Sequence, residues 1–112
     1  MGNNRASERY AKSLLMLSID ERITEEIKGD IDLIIDSFSK SREISSLYLS
    51  PIIPIKHKIS ITKKIFTGKI HNHTLNLLLN LIIRKRDSLI ETILSKFNEL
   101  YNAYMNIEES SI

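Results

Sequence analysis

The chain has 112 residues, 42% of them hydrophobic and 27% charged, with a formal net charge of +2 and no cysteine. That length supports one domain burying roughly 65% of its unfolded surface, enough for a core without disulfide or metal staples. So small a charge supplies no bulk field for nucleic acid or anionic lipid, and the lack of cysteine removes disulfide and thiolate chemistry. "MGNNRASERYAK" lacks the apolar stretch of a secretory signal, and no apolar run reaches the roughly 20 residues of a membrane span. The expectation is a soluble, intracellular globular domain.

Apolar spacing is helical almost throughout, and three glycines and two prolines leave little punctuation. A first helix is predicted over Ala6 to Ile19, with Asp20 beginning a turn or cap. A second, Glu21 to Lys40, places Ile23, Ile27, Ile31, Ile34, Ile35 and Phe38 along one stripe. Gly29 within it costs about 1 kcal/mol against alanine and marks a point of bending or weakness. Ser41 caps a short third helix over Glu43 to Leu49, which Pro51 ends. The fourth is predicted from Pro54 to Phe66, with Ile55, Ile59, Ile65 and Phe66 inward and Gly68 as the stop. The fifth covers His73 to Lys85. Asp87 caps the sixth, where Leu89, Ile90, Ile93, Leu94, Phe97, Leu100, Tyr101 and Tyr104 recur at spacings of three and four. No strand-like alternation is sustained. The fold class is all-α, a six-helix bundle with short connections.

Few residues carry reactive chemistry. His71 and His73 form an H-x-H, but helical positions two apart do not face each other, and no further ligand stands at a metal-binding spacing. Lys28, Asp32, Asp36 and Lys40 lie four apart and read as a solvated ion-pair ladder, not a carboxylate pair for acid–base work. Phosphate-binding, nucleophile-elbow and zinc-protease motifs are all missing from the sequence. No catalytic residue, cofactor or metal is expected. On the fourth helix Lys56, His57, Lys63 and Lys64 share an arc of about 120°. That basic stripe is either a solvated face or a contact for phosphates or an acidic partner. Arg84, Lys85 and Arg86 suit a helix C-terminus, where the dipole favours cations.

Two helices are more apolar than one buried face requires. In "LNLLLNLIIRKR" (Leu75 to Arg86), Leu75, Leu78 and Ile82, with Leu81 at the edge, form a bundle face. Asn76, Leu79, Asn80 and Ile83 then make a second surface. On the first helix Ala11, Leu15 and Ser18 lie on one side, and Ala6, Tyr10, Ser13, Leu14 and Leu17 on another. Either the bundle buries both sides, or helices one and five form a groove for a partner's amphipathic helix. The pattern alone leaves both open.

Three segments, in order, resemble one family. "RYAKSLLMLS" (Arg9 to Ser18) is similar to the first-helix signature of the δ subunit of F-type ATP synthases, the oligomycin-sensitivity-conferring protein family. "LYLSPIIPIKHKISITKKIF" (Leu47 to Phe66) resembles its L-x-S-P segment and lysine-rich helix. "TLNLLLNLIIRKRDSLIETILSKFNELYN" (Thr74 to Asn102) resembles its leucine-rich fifth helix, the arginine at Arg86 and the final F-x-x-L-Y. Two departures stand out: Ser13, where the family usually has alanine, and Lys85, where glycine commonly precedes the arginine.

The resemblance implies a non-catalytic stator part joining the catalytic head to the peripheral stalk during proton-driven ATP synthesis. It implies a six-helix N-terminal domain over 1–107 that binds the N-terminal helix of the α subunit. Residues 108–112 would begin a linker to an absent C-terminal domain that engages the stalk b subunits. Tyr10, Ser13 and Asn80 fall at the family's α-subunit contacts. With the wheel, this makes the expected partner site Ala6, Tyr10, Ser13, Leu14, Leu17, Asn76, Leu79, Asn80 and Ile83. The isolated domain is expected to be a monomer. In the whole complex it would sit peripherally on the cytoplasmic face of a bacterial inner membrane, reaching the membrane only through other subunits. The alternative is a helical domain that binds nucleic acid or an acidic partner through Lys56, Lys63 and Lys64.

Overall fold

The computed structural model describes the backbone of residues 2–110 and the side chains of residues 5–106. Among these residues there are six α-helices and no strand: α1 (Gly2–Asp20), α2 (Thr24–Lys40), α3 (Arg42–Leu49), α4 (Ile55–Phe66), α5 (Asn72–Ile83) and α6 (Ile90–Ser110). A 3-10 turn over Asp87–Leu89 leads into α6. The expected order and number of helices hold. The expected linker start at 108–112 falls on positions whose side chains lie outside the described residues.

The closest helix pair is α1 with α6. Ser7, Ala11, Leu14, Leu15 and Ser18 form one buried stripe on α1. Three of these five residues are small, which lets the backbones approach closely. Ile27, Ile31 and Ile34 of α2 and Ile90, Ile93, Leu94 and Phe97 of α6 join this stripe in one core, with Leu47 and Tyr48 of α3, Phe66 of α4 and Leu78, Leu81 and Ile82 of α5. Each such side chain contributes about 1.5–3 kcal/mol when fully buried. Ile35, expected inward, lies exposed on α2, while Phe38 is half-buried and stacks on Tyr48 with ring centroids 5.5 Å apart. α2 runs unbroken through Gly29, and Lys28–Asp32 (2.7 Å) and Asp36–Lys40 (3.1 Å) pair along its outer face.

Helix ends depart from the sequence reading for identifiable reasons. Arg22 takes φ 59°, and Ile23 N–H reaches back to the Ser18 carbonyl while Arg22 N–H reaches Ile19. This double closure, with one residue in the left-handed region, is the Schellman arrangement. It stops α1 at Asp20 and delays α2 to Thr24, not Glu21. The same geometry closes α5, with Arg86 N–H on the Leu81 carbonyl, Lys85 N–H on Ile82, and Lys85 at φ 60°. That helix therefore ends at Ile83, two residues before the expected Lys85. Ser41 caps α3 by accepting the Ile44 N–H at 3.3 Å, as expected. Pro54 precedes α4 as its cap instead of opening it. At the other end of α4, Gly68 takes φ 81° in a tight turn closed by Lys69 N–H on the Phe66 carbonyl.

α4 buries a different stripe from the one expected. Lys58, Thr62 and Phe66 are its buried residues, while Ile55, Ile59 and Ile65 are half-buried at the edges. Lys58 Nζ meets Asp87 Oδ2 at 2.6 Å, with the two side chains only 7% and 9% exposed. Asp87 is thus committed to this ion pair, and its side chain does not cap the last helix. Thr62 Oγ1 hydrogen-bonds Tyr48 Oη at 2.8 Å beside it.

Candidate functional site

α1 and α5 run antiparallel across a surface groove: Glu21, just beyond α1, pairs with His73 at the start of α5 (2.8 Å), while Ala6 and Arg9 near the start of α1 share a concavity with Arg84 and Arg86 just beyond α5. Direct backbone packing between the two helices is slight compared with α1 on α6 and α4 on α5. The trough between them has a volume of about 250 Å³. Tyr10, Ser13, Leu14 and Leu17 form one wall, and His73, Asn76, Leu77 and Asn80 the other. Its floor is apolar, and Asn76 and Asn80 stand exposed along the edge.

The α5 wall is held from below by α2. Asp30, buried, accepts the His71 N–H and the Thr74 hydroxyl, both at 2.8 Å on Oδ2. A carboxylate at a helix N-terminus satisfies orphan amides and complements the dipole. His71 Nδ1 accepts the His73 N–H at 3.2 Å. Because His71 lies outside the helix as its cap, the two imidazoles do face each other, stacked with centroids 4.9 Å apart. The expectation that they point apart assumed helical geometry at both. Among the described residues no group of three or more His, Cys, Asp or Glu is placed to hold a metal ion.

Towards the start of α1 the trough continues into a second concavity of about 270 Å³, lined by Ala6, Arg9, Tyr10, Ser13, Arg84 and Arg86. Tyr10 and Ser13 belong to both. Of the nine residues expected in a partner site, six line the trough itself: Tyr10, Ser13, Leu14, Leu17, Asn76 and Asn80. Ala6 lines the adjoining concavity. Leu14 is only 5% exposed, so it presents an edge to the trough and gives the rest to the core. Leu79 and Ile83 line neither space: Leu79 packs on the core, and Ile83 projects into solvent at 57% exposure.

His73, Leu77, Arg9, Arg84 and Arg86 were not singled out for this surface. A helical wheel could have found the first two, since His73 and Leu77 flank Asn80 on the side away from Leu79. Lys56, His57, Lys63 and Lys64 are exposed on α4, and none of them lines the trough. Other hollows lie away from this trough. One, about 400 Å³, lies between α2 and α6 over Phe38 and Leu94. Another, about 420 Å³, lies beside the Lys58–Asp87 pair. Tyr48 lines this second hollow, and burial pushes its phenol above the usual value of 10.0, against the opposing Thr62 hydrogen bond and with help from Asp87.

An apolar trough thus lies between two antiparallel helices, with amides at its rim. Residues 6–112 match the family model of the ATP synthase delta (OSCP) subunit, and the chain belongs to that family. It is 35% identical over 98% of its length to the ATP synthase subunit delta of Amoebophilus asiaticus, of which it covers 60%. It is 30% identical over 81% of its length to the chloroplastic ATP synthase subunit delta of Gracilaria tenuistipitata var. liui, covering 49% of that protein. It is also 29% identical over 96% of its length to the subunit delta of Cytophaga hutchinsonii, covering 59%. The chain thus spans about half to three-fifths of the relatives it matches.

Proposed function

We propose that this chain is the N-terminal, non-catalytic domain of an ATP synthase stator, and that its α1–α5 trough holds the N-terminal amphipathic helix of the α subunit. The domain would occupy 1–107 and lead into a C-terminal domain that contacts the stalk b subunits. Placement in the complex is peripheral, on the cytoplasmic face of a bacterial inner membrane. Among the described residues no helix is long and apolar enough to cross a membrane. The observation that carries the reading is the apolar trough walled by Tyr10, Ser13, Leu14 and Leu17 against Asn76, Leu77 and Asn80, in a chain of this family.

The physical task is static. A joint that resists rotor torque must be tight and slow to release, and a few anchors in a water-excluded centre supply most of such an affinity. Leu14, Leu17 and Leu77 offer that centre, and Asn76 and Asn80 fix register by hydrogen bonding. The test is a calorimetric or NMR titration with a peptide of the cognate α-subunit N-terminus. Saturable binding with shifts at Tyr10, Ser13, Leu77 and Asn80 is expected. Ser13→Trp, which fills the trough, and Asn80→Lys are each expected to weaken it at least tenfold with the helical spectrum unchanged. Unchanged affinity in both removes the site from this trough. The nucleic-acid alternative through Lys56, Lys63 and Lys64 has no supporting observation.

A further inference from the structure

The trough is electrically lopsided. At one end Arg9, Arg84 and Arg86 converge on a single concavity, and none of the side-chain hydrogen bonds or ion pairs among the described residues uses a guanidinium. At the other end stands the Glu21 carboxylate, paired with His73. Three neighbouring cations repel one another, and an unpaired guanidinium offers a planar fork of donors matched to a carboxylate. The concavity is continuous with the apolar floor through Tyr10 and Ser13, so a helix seated in the trough runs its end onto the arginines. From Arg9 to Glu21 the trough is about 18 Å long at roughly 1.5 Å per residue, room for about three turns of a bound helix.

We propose that the Arg9, Arg84 and Arg86 end of the trough receives a carboxylate carried by the bound helix and thereby decides which way round that helix lies. This rests on the trough being a helix-binding site. Seated the other way, the helix would bring its carboxylate towards Glu21 and leave the arginines unpaired, and like-charge juxtaposition penalises the wrong partner or orientation.

The experiment uses two end-blocked peptides of the cognate α-subunit N-terminus, one natural and one with Asp and Glu replaced by Asn and Gln. Each is titrated against the chain and against the Arg9→Gln, Arg84→Gln, Arg86→Gln variant. Arg9, Arg84 and Arg86 are exposed, so the variant keeps its core. The natural peptide is expected to bind the unmodified chain about tenfold more tightly than its amide counterpart, mainly through faster, salt-sensitive association. In the variant that ratio falls to about one. Equal binding of both peptides to the unmodified chain, or the same ratio in the variant, overturns the proposal. Should the two peptides bind alike while inorganic phosphate moves the arginine side-chain resonances, the cluster is a phosphate site and the carboxylate assignment falls. Failure of both peptides to bind either chain brings down the helix-binding reading as well.

Discussion

Lys85 sits in the left-handed backbone region at φ 60°, in the turn that closes α5. A side chain there crowds the following carbonyl, and glycine does not. Lys85→Gly is therefore expected to stabilise the chain by about 0.5–1 kcal/mol, seen as a higher urea midpoint at unchanged slope. The family's usual glycine before the arginine was visible in the sequence as a departure, but its physical meaning needed the backbone angle. Tyr48 gives a second prediction at this scale. Burial raises its phenol above 10.0, so the folded chain holds that proton more tightly than the unfolded chain does. Its contribution is complete below about pH 10 and is lost as pH rises through the folded value. Stability measured by denaturant should fall steeply above pH 10, and Tyr48→Phe should flatten that limb. The same change loses about 1 kcal/mol at neutral pH with the Thr62 hydrogen bond.

At the level of elements, the helices were legible because their apolar spacing is unambiguous. The ends at Lys40, Leu49 and Phe66 were legible too, but the start of α2 and the end of α5 were not, because Arg22 and Lys85 close the preceding helices in a conformation that favours glycine. The stripe of α4 was misread for a related reason. An amphipathic pattern assigns lysine to solvent, whereas Lys58 is carried inside by a partner 29 residues away, Asp87. That pair ties α4 to the turn before α6. Asp87→Ala or Lys58→Met alone strands a buried charge and should cost about 3–5 kcal/mol. Replacing both, as Lys58→Met with Asp87→Leu, should cost clearly less than the sum, as a double-mutant cycle in urea would report. A cycle with no coupling would mean that the pair is a surface contact in solution. Asp30 under α5 escaped notice likewise: its partners, His71 and Thr74, lie more than 40 residues on.

For the molecule as a whole, the second apolar side of α5 and the polar-edged face of α1 forecast a shared surface. Leu79 and Ile83 of the expected arc lie outside the trough, because a wheel gives angles but not the tilt at which two helices meet. A ligand of the folded state raises stability by mass action, about 2.7 kcal/mol at a hundred times its dissociation constant. The α-subunit peptide should therefore raise the thermal midpoint in a concentration-dependent way, and Ser13→Trp should cut the rise by about half or more at the same peptide concentration. Leu14 has one edge in the trough and its body in the buried seam of α1, alongside Ala11 and Ser18. Rolling α1 to widen or narrow the trough would pull all three out of that seam. The wall is consequently as stiff as the fold. Under the proposed function an incoming helix would meet a mould of fixed shape, and a tug on that helix would be spread along the α1–α6 contact before any single side chain gave way.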